Sequence, residues 1–271
     1  EPLRVHLEVD TGMGRLGLAW DQASEWAPEV ASVVRAGGVR LVGTMSHFHS
    51  ADRPGDSTRT QWSRLCEAVE AMRAAGIDPG LVHVANSAGA LLHSGVEADL
   101  VRPGIYLYGG GDARPQAAAV VSVRARVLAV RDVRAGTTVS YGATWTAPRD
   151  GRLATLAIGY GDGLRRDLSN RGRALIHGVE APFRGVVCMD TVVVDVTGRD
   201  DVRPGDIATL LGKDGDSSIG LAEMARLCDT IDYEILTGLG DRLSRVELDH
   251  SDTDADEDLL LEALETIRDG I

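Results

Sequence analysis

Arg102 closes the apolar pair Leu100-Val101 and is followed at once by Pro103-Gly104-Ile105. A guanidinium fixed at the rim of a sheet can bond a ring nitrogen or an acidic group through donors that hold on to their protons. Pro103 and Gly104 set up a turn whose next backbone N–H groups can point at an anion, a geometry that holds phosphate without lysine. The stretch reads as a seat for a phosphorylated cofactor, with an ordinary strand-to-loop turn as the plainer alternative.

Three further groups could carry chemistry. His47-Phe48-His49 follows a strand pattern, and an H-x-H pair at a sheet rim can share a divalent ion, with Asp52 and His83 available to complete the set. For His49 the alternative is an exposed loop. Tyr141, in Val139-Ser140-Tyr141-Gly142, is either an ordinary half-buried tyrosine or a base whose pKa of about 10 is lowered by positive charge. Cys188-Met189-Asp190 falls in an apolar run from Val186 to Asp195, where an aspartate requires a partner. Gly159-Tyr160-Gly161-Asp162-Gly163 lacks the spacing and the following helix of a nucleotide loop.

The elements that must position these residues fall into two patterns. From Arg4 to Asp10 apolar and polar residues alternate as in a strand, ended by Thr11-Gly12-Met13-Gly14-Arg15. Helical spacing follows over roughly 21–36, then a strand from Val39 to Met45, a helix near 57–75 stopped by Gly76, and a strand from Leu81 to Ala85. A short helix from about Asn86 to Leu92 and a strand from Leu100 to Ile105 complete this part. Alternating strands and helices imply parallel βα units. About four strands is half of what a closed eight-stranded barrel needs, which is the expected form of residues 1–112. An open half of that kind exposes its edges and one apolar face.

After Gly109-Gly110-Gly111 the period shortens to that of a mainly β domain, assigned to residues 113–248, with strands near 118–130, 153–158, 173–176, 186–195 and 207–211. Residues 249–271 form an acidic tail, read as a solvated appendage. The hydrophobic content of 44% supports a sizeable core. A net charge of −13 without a basic cluster argues against nucleic acid as a partner. No run approaches the roughly 18 to 20 apolar residues of a membrane helix, so no membrane partner and a cytoplasmic location are expected. Cys66, Cys188 and Cys228 are odd in number and read as reduced thiols. Of the 28 basic residues, Lys213 is the lone lysine, and it falls in what reads as a solvated loop, Gly212-Lys213-Asp214-Gly215.

Taken in order, Asp10-Thr11-Gly12-Met13-Gly14-Arg15-Leu16-Gly17, His47-Phe48, Ala85-Asn86-Ser87, Arg102-Pro103-Gly104-Ile105, Val139-Ser140-Tyr141-Gly142, Ile158-Gly159-Tyr160-Gly161-Asp162-Gly163, Val187-Cys188-Met189-Asp190 and Ile231-Asp232-Tyr233-Glu234-Ile235 resemble alanine racemase. The likeness runs from the first residues to about Arg245. It implies an isomerase dependent on pyridoxal 5'-phosphate, built as a barrel plus a β domain and working as a head-to-tail homodimer on L- and D-alanine for peptidoglycan. By this resemblance Arg102 bonds the pyridine nitrogen. Ser87, Gly104, Ile105 and Tyr233 match phosphate-holding positions, with Asn86 beside them. Tyr141 matches a base acting across the dimer interface and His47 its hydrogen-bonded neighbour, while Arg15 and the Met189 backbone match groups that orient the substrate carboxylate.

The family's second base is the lysine that also holds the cofactor, and Lys213 matches no such position. That lysine is expected upstream of Glu1, leaving this chain as the carboxyl-terminal two-thirds of a racemase, inactive alone. Glu8 stands where many members carry a carbamylated lysine, and its carboxylate is expected to orient Arg15 directly. Thr191 and Ser244 also depart from common family residues. Other readings are a broad-specificity amino-acid racemase, a non-catalytic remnant, and a metal-dependent hydrolase using His47, His49 and His83.

Overall fold

The computed structural model describes residues 1–96, 98–111 and 114–247; the acidic tail expected over 249–271 lies outside the described residues. A parallel sheet with order β2-β1-β3-β4 is built from β1 (Leu3–Asp10), β2 (Leu18–Ala19), β3 (Val39–Met45) and β4 (Leu81–His83). Two long helices, α1 (Ala23–Arg35) and α2 (Ser57–Ala74), connect the strands, and the short α3 (Ser87–Leu92) follows β4. On α2 the buried residues Thr58, Gln61, Leu65, Ala68, Val69 and Met72 recur at three- and four-residue spacing. Leu65 and Met72 are fully buried, and truncating either to alanine costs about 2–5 kcal/mol. Gly76, at φ 78°, ends the helix in the left-handed conformation.

The pairing of β1 with β3 contains a bulge. Val5 is opposite Leu41 but His6 is opposite Gly43, so Val42 is passed over. Leu3 at the start of β1 is 67% exposed and Leu81 of β4 is also exposed, in keeping with the open edges anticipated for this half. Because the strands are parallel, their carboxyl ends at Asp10, Met45 and His83 open on the same rim of the sheet.

The expected strand from Leu100 to Ile105 does not form. Arg102 makes a single parallel bridge with Asn86, after which Ile105–Tyr108 turn in a 3-10 helix. Pro103 has no N–H to give a ladder, and Gly104 (φ −131°, ψ −94°) turns the chain away.

The second unit is antiparallel. Its main sheet has the order β10-β9-β12-β5-β8-β11, from β5 (Val123–Val133), β8 (Gly151–Leu156), β9 (Arg173–Ile176), β10 (Val179–Pro182), β11 (Val192–Asp195) and β12 (Ile207–Asp214), with β13 (Ser217–Ile219) paired to β12. A small ribbon of β6 (Thr138–Val139) and β7 (Trp145–Thr146) lies apart from it. Leu156, Leu175, Ile176, Phe183, Leu210 and Leu211 fill its core, and helices α4 (Leu221–Leu227) and α5 (Asp232–Thr237) pack on it. A fork of Arg173 onto Glu223, both contacts 2.8 Å, ties β9 to α4.

The run 186–195 is a strand only over β11; residues 186–191 form a turn closed by Cys188 N–H donating to Thr191 O at 2.9 Å. Asp190 is therefore exposed rather than enclosed in an apolar strand. Lys213 lies not in a loop but on β12, opposite Ser218 of β13.

Candidate active site

Arg102 sits half-buried at the carboxyl rim of the parallel sheet, and its backbone N–H donates to Ala85 O at 2.9 Å. Its Nη1 donates to His83 Nδ1. Its Nη2 reaches Ser46 O at 2.8 Å, Val84 O at 3.3 Å and His47 Nδ1 at 3.4 Å. Of five guanidinium hydrogens, the one on Nε and one on Nη1 have no acceptor among the described residues. Burial pulls the Arg102 pKa down, opposed by the charge of Glu8. His83 is 4% exposed, and burial first, then the Arg102 charge, brings its pKa down to about 4.

Next to this group the chain builds a polar turn. The Asn86 side chain accepts from Gly89 N at 2.9 Å, capping α3, and donates to Phe48 O at 3.3 Å. The Ser87 hydroxyl accepts from Gly104 N at 2.8 Å and, more distantly, from Tyr106 N at 3.5 Å. Ile105 is buried, whereas a Cβ placed on Gly104 would meet nothing within 4 Å, so open space lies beside the turn. Asp232 Oδ2 accepts from Gly111 N at 2.8 Å and so anchors α5, with Tyr233, to the segment after Ile105. Burial raises the Tyr233 pKa, with Asp52 and Asp232 adding to it.

Arg15 is carried by the loop after β1. Asp10 Oδ1 accepts from Gly12 N at 2.8 Å and Gly14 N at 3.0 Å, and these bonds hold its carboxyl below the usual range, Gly14 contributing most. Gly12 and Gly14 have φ of 137° and 68°, conformations that a side chain resists. His47 is held lower than an ordinary imidazole by burial, then by the charges of Arg102 and Arg15, with Glu8 opposing. Glu8 thus acts through its field. The direct pairing with Arg15 is absent, since no ion pair within 4.0 Å joins the two among the described residues.

A residue that sequence reasoning passed over joins these loops. Gln61 of α2, 1% exposed, donates to Thr11 Oγ1 at 3.2 Å and His47 O at 2.9 Å and accepts from His49 N at 3.1 Å. Arg64, one turn on, donates to Thr11 O at 2.9 Å and stacks over Trp20. The only sequence signal was a polar residue on the apolar face of a helix, which asks for partners.

Tyr141 and Met189 belong to a separate cluster in the β unit. Tyr141 is 71% exposed in a tight turn preceded by Ser140, whose hydroxyl donates to Val186 O at 2.6 Å. Met189 O accepts from Gly161 N at 2.8 Å, and Arg242 bridges Asp190 at 2.6 Å and Asp162 at 3.2 Å. The aspartate of the Cys188-Met189-Asp190 run thereby has its partner. No hydrogen bond within the chain joins Tyr141 to His47, Arg102 or Arg15 among the described residues.

The histidines considered for a metal do not converge. His83 spends one ring nitrogen on Arg102 and the other on His6 at 2.9 Å, and His49 turns to Ser50 Oγ at 2.7 Å. Strand alternation does not govern His47 and His49, because β3 stops at Met45. Among the described residues no group of three His, Cys, Asp or Glu could hold an ion, and none of their helices is long and apolar enough to cross a membrane.

Two family models match this chain: the alanine racemase N-terminal domain over residues 1–112 and the alanine racemase C-terminal domain over residues 120–247. Alanine racemase of Halothermothrix orenii is 38% identical over 248 residues, which cover 89% of this chain. The chain spans 65% of that relative's length. Bacillus anthracis alanine racemase, solved with bound L-Ala-P, superposes with a TM-score of 0.85 at 30% identity, covering 92% of this chain and 66% of that one. Bartonella henselae alanine racemase, solved with covalently bound pyridoxal phosphate, gives a TM-score of 0.80 at 32% identity over 90% and 66%. With the two family models together covering residues 1–112 and 120–247, the chain belongs to the alanine racemase family.

Proposed function

We propose that this chain forms part of an alanine racemase that interconverts L- and D-alanine with pyridoxal 5'-phosphate. The observation that carries the reading is the rim where Arg102, among the described residues, keeps two N–H donors uncommitted beside the Ser87–Gly104 turn. The donor set fits the cofactor. An uncharged ring nitrogen is an acceptor suited to the free Arg102 N–H, and the open space at Gly104 suits a phosphate flanked by Ser87, Ile105 and Tyr233, with Asn86 bracing the turn. When bound, the cofactor acidifies the α-hydrogen of the amino acid joined to it.

The chain's own residues then have defined tasks. Arg102 donates to the ring nitrogen without giving up a proton, which leaves the ring a restrained electron sink and favours proton return over side reactions. Arg15 and the Met189 backbone orient the substrate carboxylate. Tyr141 moves the proton on one face of the α-carbon. Its exposure and its separation from His47 within one chain suit service to a site in a second copy, with His47 of that copy as neighbour. Lys213, paired into β12, is not the second base, and that role is assigned to a lysine outside these residues. D-Alanine for peptidoglycan is the product this reading supplies.

The test is exchange of the alanine α-hydrogen in deuterium oxide, followed by NMR together with the enantiomer ratio. It is run with added cofactor, on this chain and on the chain joined to the lysine-bearing amino-terminal segment of a family member. Exchange with inversion in the joined protein supports the proposal. Its absence there, with cofactor bound, overturns it.

A further inference from the structure

His6, Gly43 and His83 lie on three adjacent strands, β1, β3 and β4. Residues two strands apart are separated by roughly 9–10 Å of backbone, and a side chain on the middle strand normally stands between them. Here the middle residue is glycine. The bulge that passes over Val42 brings Gly43 opposite His6, and a Cβ at that position would overlap the His6 ring and the Leu81 carbonyl. Met45, two residues on, is in register with His83, so His83 faces the same side of the sheet. The two imidazoles therefore meet over Gly43, with ring centroids 5.0 Å apart and His6 Nδ1 2.9 Å from His83 Nε2.

The proton positions in this chain follow from one fact: a guanidinium donates and never accepts. Arg102 Nη1 donates to His83 Nδ1, so that nitrogen carries a lone pair and the His83 proton resides on Nε2. Nε2–H then donates to His6 Nδ1, which must also carry a lone pair. Both rings are neutral while the chain holds, and the opposite His83 tautomer would set two donors against each other at Arg102.

We propose that His6 is a positioning residue. By accepting the His83 Nε2 proton it fixes the ring and tautomer that hold the Arg102 guanidinium at the rim, and Gly43 is required for the contact. This deepens the cofactor reading of Arg102 and rests on it only for what the free N–H groups face. The same fixed pair of acceptor and donor would exist without any cofactor.

The test is long-range proton–nitrogen correlation NMR of the full chain labelled with nitrogen-15 in histidine, at pH 7. The wild type is expected to show His83 neutral and protonated at Nε2, with a downfield Nε2 proton protected from solvent. His6→Asn places an amide oxygen where Nδ1 stands and should preserve that signal. His6→Leu and Gly43→Ala should lose it. A wild-type His83 that is charged or protonated at Nδ1 overturns the proposal without reference to any variant, as does an unchanged His83 signal in folded His6→Leu. Neither readout depends on turnover, so failure of the racemase reading would leave this result standing, and the reverse.

Discussion

Gln61 donates to the backbone carbonyl of His47 at 2.9 Å, so a buried side chain of α2 holds the loop that carries the imidazole. The same amide joins Thr11 and His49, leaving the loops after β1 and β3 with a common support. Gln61→Leu would keep the volume but take the side-chain partner from the His47 carbonyl and the His49 N–H, while Thr11 Oγ1 keeps its bond to Ser46 Oγ. The expected loss is about 3 kcal/mol of unfolding free energy, measured by urea denaturation. A loss below about 1 kcal/mol would mean that the loops hold themselves.

Stability should also depend on pH through His83. Its folded pKa of about 4 lies below the ordinary 6.5. Above about 6.5 both states are neutral and the group contributes nothing to the slope. As pH falls from there the unfolded chain takes up the proton and the native state does not, so stability declines until the native ring also protonates near 4. The full decline from this group is roughly 3 kcal/mol. His47, also depressed, adds in the same direction. In His83→Asn, denaturation curves should fall less steeply from pH 6.5 to 4 than in the wild type, and parallel curves would contradict the assignment.

The loop that presents Arg15 is held by one carboxylate oxygen. Asp10→Asn retains an oxygen able to accept from Gly12 and Gly14, whereas Asp10→Ala does not. In the racemase reading, Asp10→Ala should raise KM for alanine several-fold more than Asp10→Asn, with kcat less affected. Equal KM values in the two variants would remove Arg15 from carboxylate binding.

Ser87 offers a discriminating probe of the phosphate seat. Ser87→Ala removes the acceptor for the Gly104 N–H and a hydroxyl beside the open turn. Absorbance titration should show weakened binding of pyridoxal 5'-phosphate, by about tenfold for a lost charge-assisted hydrogen bond of about 1.5 kcal/mol, and little change for pyridoxal. Equal weakening of both ligands would place Ser87 away from the phosphate.

Much of this was legible in the sequence, though unevenly. The βα alternation, the long helices and the change to antiparallel strands follow from apolar spacing, and Arg102 followed by Pro103-Gly104 marks a rim turn. The strand expected over 100–105 failed because apolar residues signal burial while Pro103 and Gly104 decide the hydrogen bonding. Residues 186–191 failed in the same way, since a turn closed by Cys188 and Thr191 has no periodic signature. Gln61 and His6 were hidden for another reason: their partners lie on other elements, Thr11, His47 and His49 for Gln61 and His83 for His6, and no local pattern records a contact 77 residues away. The tasks given to Tyr141 and Met189 came from family likeness alone.

The most direct measurement is racemisation of L-alanine, followed by circular dichroism with added pyridoxal 5'-phosphate. It should be made on the chain joined to the lysine-bearing amino-terminal segment of a family member, as wild type and as Tyr141→Phe. The wild type should convert L-alanine toward equal amounts of L- and D-alanine, and Tyr141→Phe should do so at least about a hundredfold more slowly, the scale of a lost acid–base group. No conversion by a folded, cofactor-loaded wild type, or full activity in Tyr141→Phe, would contradict the racemase reading.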